Sequence, residues 1–239
     1  MLLRPILRRG FAAALVALAG QALDAQVTIG TATEGGGLCI PLGCSNGEPS
    51  RYQQVYAAGA FGGAMAIGAL TFHHTQVSPG DGEFAPVTLA LSFSITSRGP
   101  GALSTVFDDN VGMGARHFAT VTLAGSAAAP SFTIAGTPFD YDPSLGNLLV
   151  DWRILGPGDP SRPFFFNTYF DADYDGLVTS AVVDAEWVPG LRETSAFPEA
   201  LVTTFTPAVS AVPEPATMAL VATGLATLGV VVRLRRRAH

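Results

Sequence analysis

Between residues 51 and 207 the chain is cut into short apolar or alternating runs, each closed by Gly, Pro, Asn or Asp, and helical periodicity is almost absent. Such a pattern cannot build a helix bundle, and it lacks the long helical crossovers that a parallel sheet requires. It predicts an all-β body, an antiparallel β-sandwich of jelly-roll-like type. The predicted strands are Tyr52–Ala57, Met65–Gln76, Val87–Ser97, Thr105–Phe107, His117–Ala124, Ser131–Ile134, Leu148–Leu155, Phe164–Phe170, Leu177–Val183 and Leu201–Thr206. Alternation is clearest from Val87 to Ile95, where Val87, Leu89, Leu91, Phe93 and Ile95 share one face. That face is predicted to be core. Leu148, Val150, Trp152 and Ile154 make a second such face, and Leu70 with Phe72 a third.

The connections carry turn chemistry. Pro79-Gly80-Asp81-Gly82, Gly99-Pro100-Gly101 and Gly156-Pro157-Gly158-Asp159-Pro160 supply the dihedrals a reversal needs. Asp175-Gly176, between Tyr174 and Leu177, predicts a two-residue hairpin. Residues 26–50 read as an arm, 51–207 as the sandwich, and 208–239 as a separate terminal segment. The only two cysteines, Cys39 and Cys44, lie in a Gly/Pro-rich stretch of the arm. In an oxidising compartment that spacing favours a local disulfide. Closing so short a loop stabilises little, toward the low end of roughly 0–5 kcal/mol.

Both ends read as targeting segments. Arg4, Arg8 and Arg9 precede the apolar run Phe11 to Gly20, and small residues permit cleavage after Ala25, so residues 1–25 are a predicted signal peptide. A buried core helix explains neither the arginines nor the position. At the other end Val212-Pro213-Glu214-Pro215 is followed by the apolar run 216–232 and then by Arg233, Arg235, Arg236 and Arg237. Seventeen helical residues rise about 25 Å, slightly short of a hydrocarbon core of about 30 Å. The arginines would stay cytoplasmic, leaving the body outside and the helix crossing the inner membrane.

The order Pro-Glu-Pro, single apolar span, Arg-rich terminus resembles the PEP-CTERM sorting signal of Gram-negative bacteria. The resemblance covers residues 211–237 and implies an exosortase, an inner-membrane transpeptidase-like enzyme that cuts near the motif and passes the body onward. A plain C-terminal anchor needs the same span and basic stop; only the motif separates the two. The body has a looser resemblance of its own. Arg51-Tyr52-Gln53-Gln54-Val55-Tyr56, Phe61-Gly62-Gly63, Pro138-Phe139-Asp140-Tyr141-Asp142-Pro143 and Gly146-Asn147-Leu148-Leu149-Val150-Asp151 look like a recurrent PEP-CTERM-associated ectodomain. That likeness implies a β-sandwich and no mechanism.

Charge narrows the partners. Residues 26–210 hold 17 acidic residues against 6 arginines, a net charge of −11, and lysine is absent from the whole chain. Phosphate backbones would be repelled, so nucleic acid is a poor partner. Without lysine, Schiff-base and Ser-Lys mechanisms are excluded, and no nucleophile elbow, zinc-binding His-Glu-x-x-His or Gly-rich phosphate loop occurs. Asp171, Asp173 and Asp175 with Gly176 copy the first half of a Ca²⁺ loop, but the twelfth position is Val182 instead of Glu. A solvated hairpin turn explains the same residues. His73 and His74 are strand neighbours that point to opposite faces and cannot easily share an ion. His74 is expected half-buried beside Leu70 and Phe72, His73 outside, and His117 at a strand edge. Asp108, Asp109, Asp140 and Asp142 read as loop acids. Trp152, Phe164, Phe165, Phe166, Tyr169, Tyr174 and Trp187 are core aromatics or a sugar-stacking surface, the latter most credible at Tyr169, Tyr174 and Trp187 beside the acidic loop. These features together predict a non-enzymatic exported protein, structural or adhesive, at the surface or in an extracellular polysaccharide matrix. A glycan-binding module, with or without Ca²⁺, is the alternative.

Overall fold

The structure is a computed structural model that describes residues 26–34, 37–38, 40–41, 51–75, 83–126, 130–157, 169–188 and 191–208. Thirteen strands lie among them: β1 (Val27–Ile29), β2 (Gly37–Leu38), β3 (Arg51–Tyr56), β4 (Met65–His73), β5 (Glu83–Thr96), β6 (Met113–Ser126), β7 (Ser131–Tyr141), β8 (Asn147–Pro157), β9 (Phe170–Asp173), β10 (Thr179–Val188), β11 (Leu191–Phe197), β12 (Ala200–Leu201) and β13 (Thr203–Pro207). Every pairing is antiparallel. One sheet has the order β1-β13-β4-β7, a second β11-β10-β3-β8-β5-β6, and a third, small sheet β12-β9-β2.

Ring contacts join the two large sheets. Phe72 of β4 meets Trp152 of β8 at 4.8 Å, Tyr56 of β3 meets Phe205 of β13 at 4.9 Å, and Phe93 of β5 meets Phe139 of β7 at 5.1 Å. All three faces expected to be core are buried, apart from Ile154, which packs partly covered against the cluster. Val87, Leu89, Leu91 and Phe93 are at most 1% exposed. Each such side chain contributes roughly 1.5–3 kcal/mol by leaving water, which is why the apolar alternation holds from Val87 to Ile95.

The quoted body motifs converge at one end of this core. Tyr52, Gln54 and Tyr56 of central strand β3 point inward, and the Tyr56 hydroxyl shares a 2.8 Å hydrogen bond with Thr203. Phe61 meets Tyr141 edge-on at 4.7 Å and Phe205 at a tilt at 5.2 Å. Tyr141 donates to the Gly146 carbonyl, and Ala58 N–H donates to the Asn147 side chain. These motifs are architecture. Burial pushes the hydroxyl pKa of Tyr52, Tyr56 and Tyr141 upward, keeping all three as neutral donors.

Several expectations need correction. Thr105–Phe107 is not a strand; residues 97–112 form a strap with a 3-10 turn at Phe107–Asn110. Asp175-Gly176 does not close a hairpin, because β9 pairs with β12 and β2 whereas β10 pairs with β11 and β3. The segment hands the chain from the small sheet to the six-stranded one, and the left-handed Gly176 (φ 66°) lies against Pro198. Val27–Ile29, read as arm, is an edge strand on β13. Leu191–Phe197, which the alternation pattern did not flag, is the outermost strand beside β10. Residues 1–25, Cys39, Cys44, 158–168 and 209–239 lie outside the described residues, and with them both predicted terminal helices, the disulfide and most of Phe164–Phe170. Among the described residues no helix is long and apolar enough to cross a membrane.

Candidate functional site

Asp171 and Asp173 alternate on β9, and both are buried. Their carboxylates serve the ends of different strands. Asp171 accepts from Thr75 N–H at 2.9 Å and from the Thr75 hydroxyl at 2.7 Å, where β4 ends. Asp173 accepts from Thr31 N–H and from Asp175 N–H, both at 3.0 Å, where β1 ends and the 174–178 segment begins. Asp175 accepts from Leu177 N–H at 2.7 Å. Among the described residues no three His, Cys, Asp or Glu side chains converge as metal ligands would. Gly30 (φ 90°) lets the β1 end approach Asp173, whose Cβ would lie 3.1 Å from any side chain there.

His74 is almost fully buried, with its ring 6.1 Å from Phe170. Burial lowers its pKa, the nearby Asp171 raises it and His73 lowers it, with a net decrease. His73, expected outside, is half-buried and shares a 2.8 Å hydrogen bond with Thr204. Tyr169 and Tyr174 are partly exposed; the Tyr174 hydroxyl donates to the Gly37 carbonyl. The Trp187 side chain lies outside what the structure describes.

The most organised polar geometry is on the outward face of the six-stranded sheet. Asp142 only caps its own turn, accepting from Ser144 N–H. By contrast, the 97–112 strap is pinned across β3, β8 and β10. Gly101 N–H donates to Ser180, Asn147 donates to the Arg98 carbonyl, and Asn110 donates to Gln53 while its carbonyl accepts from Ser104 N–H. Beneath it Val55, Leu149 and Val182 are fully buried on the face opposite the main core. Gly99-Pro100-Gly101 forms the expected turn, with Ala102 N–H donating to Gly99 O and Gly101 at φ 72°.

At the strap's edge Arg51 is clamped. Its Nε and one terminal nitrogen donate to both oxygens of Asp151 at 2.9 and 2.6 Å, and its other terminal nitrogen donates to Asp108 at 2.8 Å. The guanidinium lies 5.0 Å over the Phe107 ring. Burial alone would lower the Arg51 pKa, but the bonds from Asp151 and Asp108 outweigh it and raise it. The Asp108 carboxyl is held below its ordinary range by Arg51 and, more weakly, by Arg153.

This clamp forms one wall of an open cleft of about 450 Å³. Arg116, His117 and Arg153 line the rest together with Ser92 and Ser94. Register explains the gathering: Gln53, Asp151, Ser92 and His117 face one another across β3, β8, β5 and β6. The β5–β6 ladder shifts register between Leu91 and Ser92 and again between Phe93 and Ile95. Bulges of that kind re-aim side chains, so the consecutive residues Arg116 and His117 both line the cleft. Sequence reasoning placed His117 at a strand edge, whereas it lies inside β6, and it did not bring Arg51, Asp151, Arg116 and Arg153 together as one site. Only the scarcity of arginine in an acidic body hinted at them.

The comparisons with known proteins bear on the other end of the chain. Residues 211–237 match the PEP-CTERM protein-sorting motif. The chain carries a PEP-CTERM sorting signal. The match takes in Val212, Pro213, Glu214 and Pro215 and the arginines from 233 to 237, immediately after β13 closes the four-stranded sheet. No curated protein and no solved structure matches the chain significantly.

Proposed function

We propose that this protein is exported through its N-terminal signal and handed by an exosortase from the inner membrane to the cell surface or extracellular polysaccharide matrix. There its β-sandwich, jelly-roll-like body acts structurally or adhesively, without catalysis and without a resident cofactor. The observation that carries this reading is the PEP-CTERM motif at residues 211–237, directly behind a body whose first and last strands pair with each other. Pairing β1 with β13 ties the first and last described strands of the body together ahead of the sorting segment. The buried carboxylates Asp151, Asp171 and Asp173 are all engaged in holding strands and chain ends, which suits a scaffold. In an oxidising compartment a Cys39–Cys44 bridge would tie down the arm.

The test is deletion of residues 212–239 followed by fractionation. Loss of processing and of surface display is expected. Unchanged display and processing would overturn the sorting half of this reading.

A further inference from the structure

Three of the six arginines in residues 26–210, Arg51, Arg116 and Arg153, line the cleft beside the strap. Two acids line it with them, which leaves three arginines against fifteen acids over the rest of those residues. The cleft is thus a cationic spot on a strongly anionic body. Arg51 is already satisfied by Asp151 and Asp108, whereas Arg116 and Arg153 have no carboxylate within 4.0 Å among the described residues. Two exposed guanidiniums with no ion pair among the described residues, set around a concave surface, are suited to an external planar anion.

We infer that this cleft binds the carboxylates of an acidic polysaccharide, with Arg116 and Arg153 as the anion contacts and the Arg51–Asp151 clamp as the rigid wall that positions them. The volume, about 450 Å³, suits one or two sugar units. Half-buried Ser92 supplies a hydroxyl to the lining, and buried Ser94 beside it holds the strap by accepting from Gly112 N–H. Apolar lining is limited to Phe93, Val111 and Ala115, too little for the anchor pockets a peptide needs. The remaining negative charge of the body would repel a polyanion from other surfaces and confine it to this face. The inference rests on the matrix reading above for the polymer's presence, and its test does not.

The full chain in mild detergent is titrated with oligogalacturonate, with the methyl-esterified oligomer, and with inorganic phosphate as a free anion. Binding is expected for the free acid, to weaken with salt, and to be lost for the ester. The double variant Arg116→Gln/Arg153→Gln is expected to bind at least roughly tenfold more weakly, since each contact to a charged group is worth about that factor. Should that variant melt early, Arg116→Gln alone, a change at an exposed side chain, gives the same reading. Equal binding of acid and ester, no binding, or unchanged binding by the variants would overturn the proposal. Displacement by phosphate at equal concentration would reassign the cleft to free anions and overturn it as well. A chain that binds oligogalacturonate but is not sorted overturns only the export reading; one that is sorted but does not bind overturns only this one.

Discussion

On β3, Tyr52, Gln54 and Tyr56 point into the space between the two large sheets, while Arg51, Gln53 and Val55 point the other way, toward the 97–112 strap. Both faces are buried, by different chemistry. The inner face is an aromatic core, and its one amide, Gln54, is fully satisfied: the oxygen accepts from Tyr52 and Leu201 N–H, and the nitrogen donates to Thr179 and the Leu201 carbonyl. The outer face has few apolar side chains. It is covered because side-chain amides and an ion pair hold an irregular segment over it. Apolar contact is non-directional and tolerates small shifts, whereas hydrogen bonds fix geometry. The same strand therefore gives stability on one side and a shaped polar cleft on the other.

Breaking the inner face should cost most. Trp152→Ala is expected to lose about 3–5 kcal/mol in urea titrations followed by circular dichroism. A loss under 1 kcal/mol would mean the two large sheets do not share a core. On the outer face Asn110→Ala strands Gln53 and the strap backbone and is expected to cost about 2–3 kcal/mol. It should also speed proteolysis within residues 97–112, a readout the Trp152 change does not single out.

The clamp sharpens the contrast, because one arginine meets a buried and an exposed acid. Asp151→Asn should cost about 1–3 kcal/mol, since it leaves a mostly buried guanidinium with only Asp108 and the Phe107 ring. Asp108→Asn, at an 82% exposed side chain, should leave the melting temperature unchanged. Equal effects would show that burial does not set the strength of these pairs.

His74 adds a pH dependence. Its folded pKa lies below the unfolded value of about 6.5. The stability tied to its neutral form is therefore present above pH of about 6.5 and is lost as pH falls through the folded pKa. Melting temperature should decline from pH 7 to 5, and His74→Gln should flatten that decline. A parallel slope in the variant would assign it to other groups. Smallest of all should be the response to Ca²⁺, because Asp171 and Asp173 are already occupied by N–H and O–H donors. A clear rise in melting temperature with Ca²⁺ over chelator would return these acids to a metal site.

Alternation in Val87 to Ile95 and in Leu148 to Trp152 determined, without any structure, that these residues are core and that the body is all-β, because a strand that buries one face must repeat every second residue. The linear order of Pro-Glu-Pro, apolar run and arginines likewise determined the sorting signal, since such a signal is read along the chain. Strand partners were not determined that way. Asp175-Gly176 has hairpin chemistry yet links two sheets, because its neighbours find better partners in β2, β12, β3 and β11. The cleft is the extreme case: Arg51, Arg116, Asp151 and Arg153 span about a hundred residues and meet through register across four strands and two bulges, and Asp108 joins them from the strap. Spacing along a chain records periodicity within one element; which charges share a surface is decided when separate elements are laid side by side.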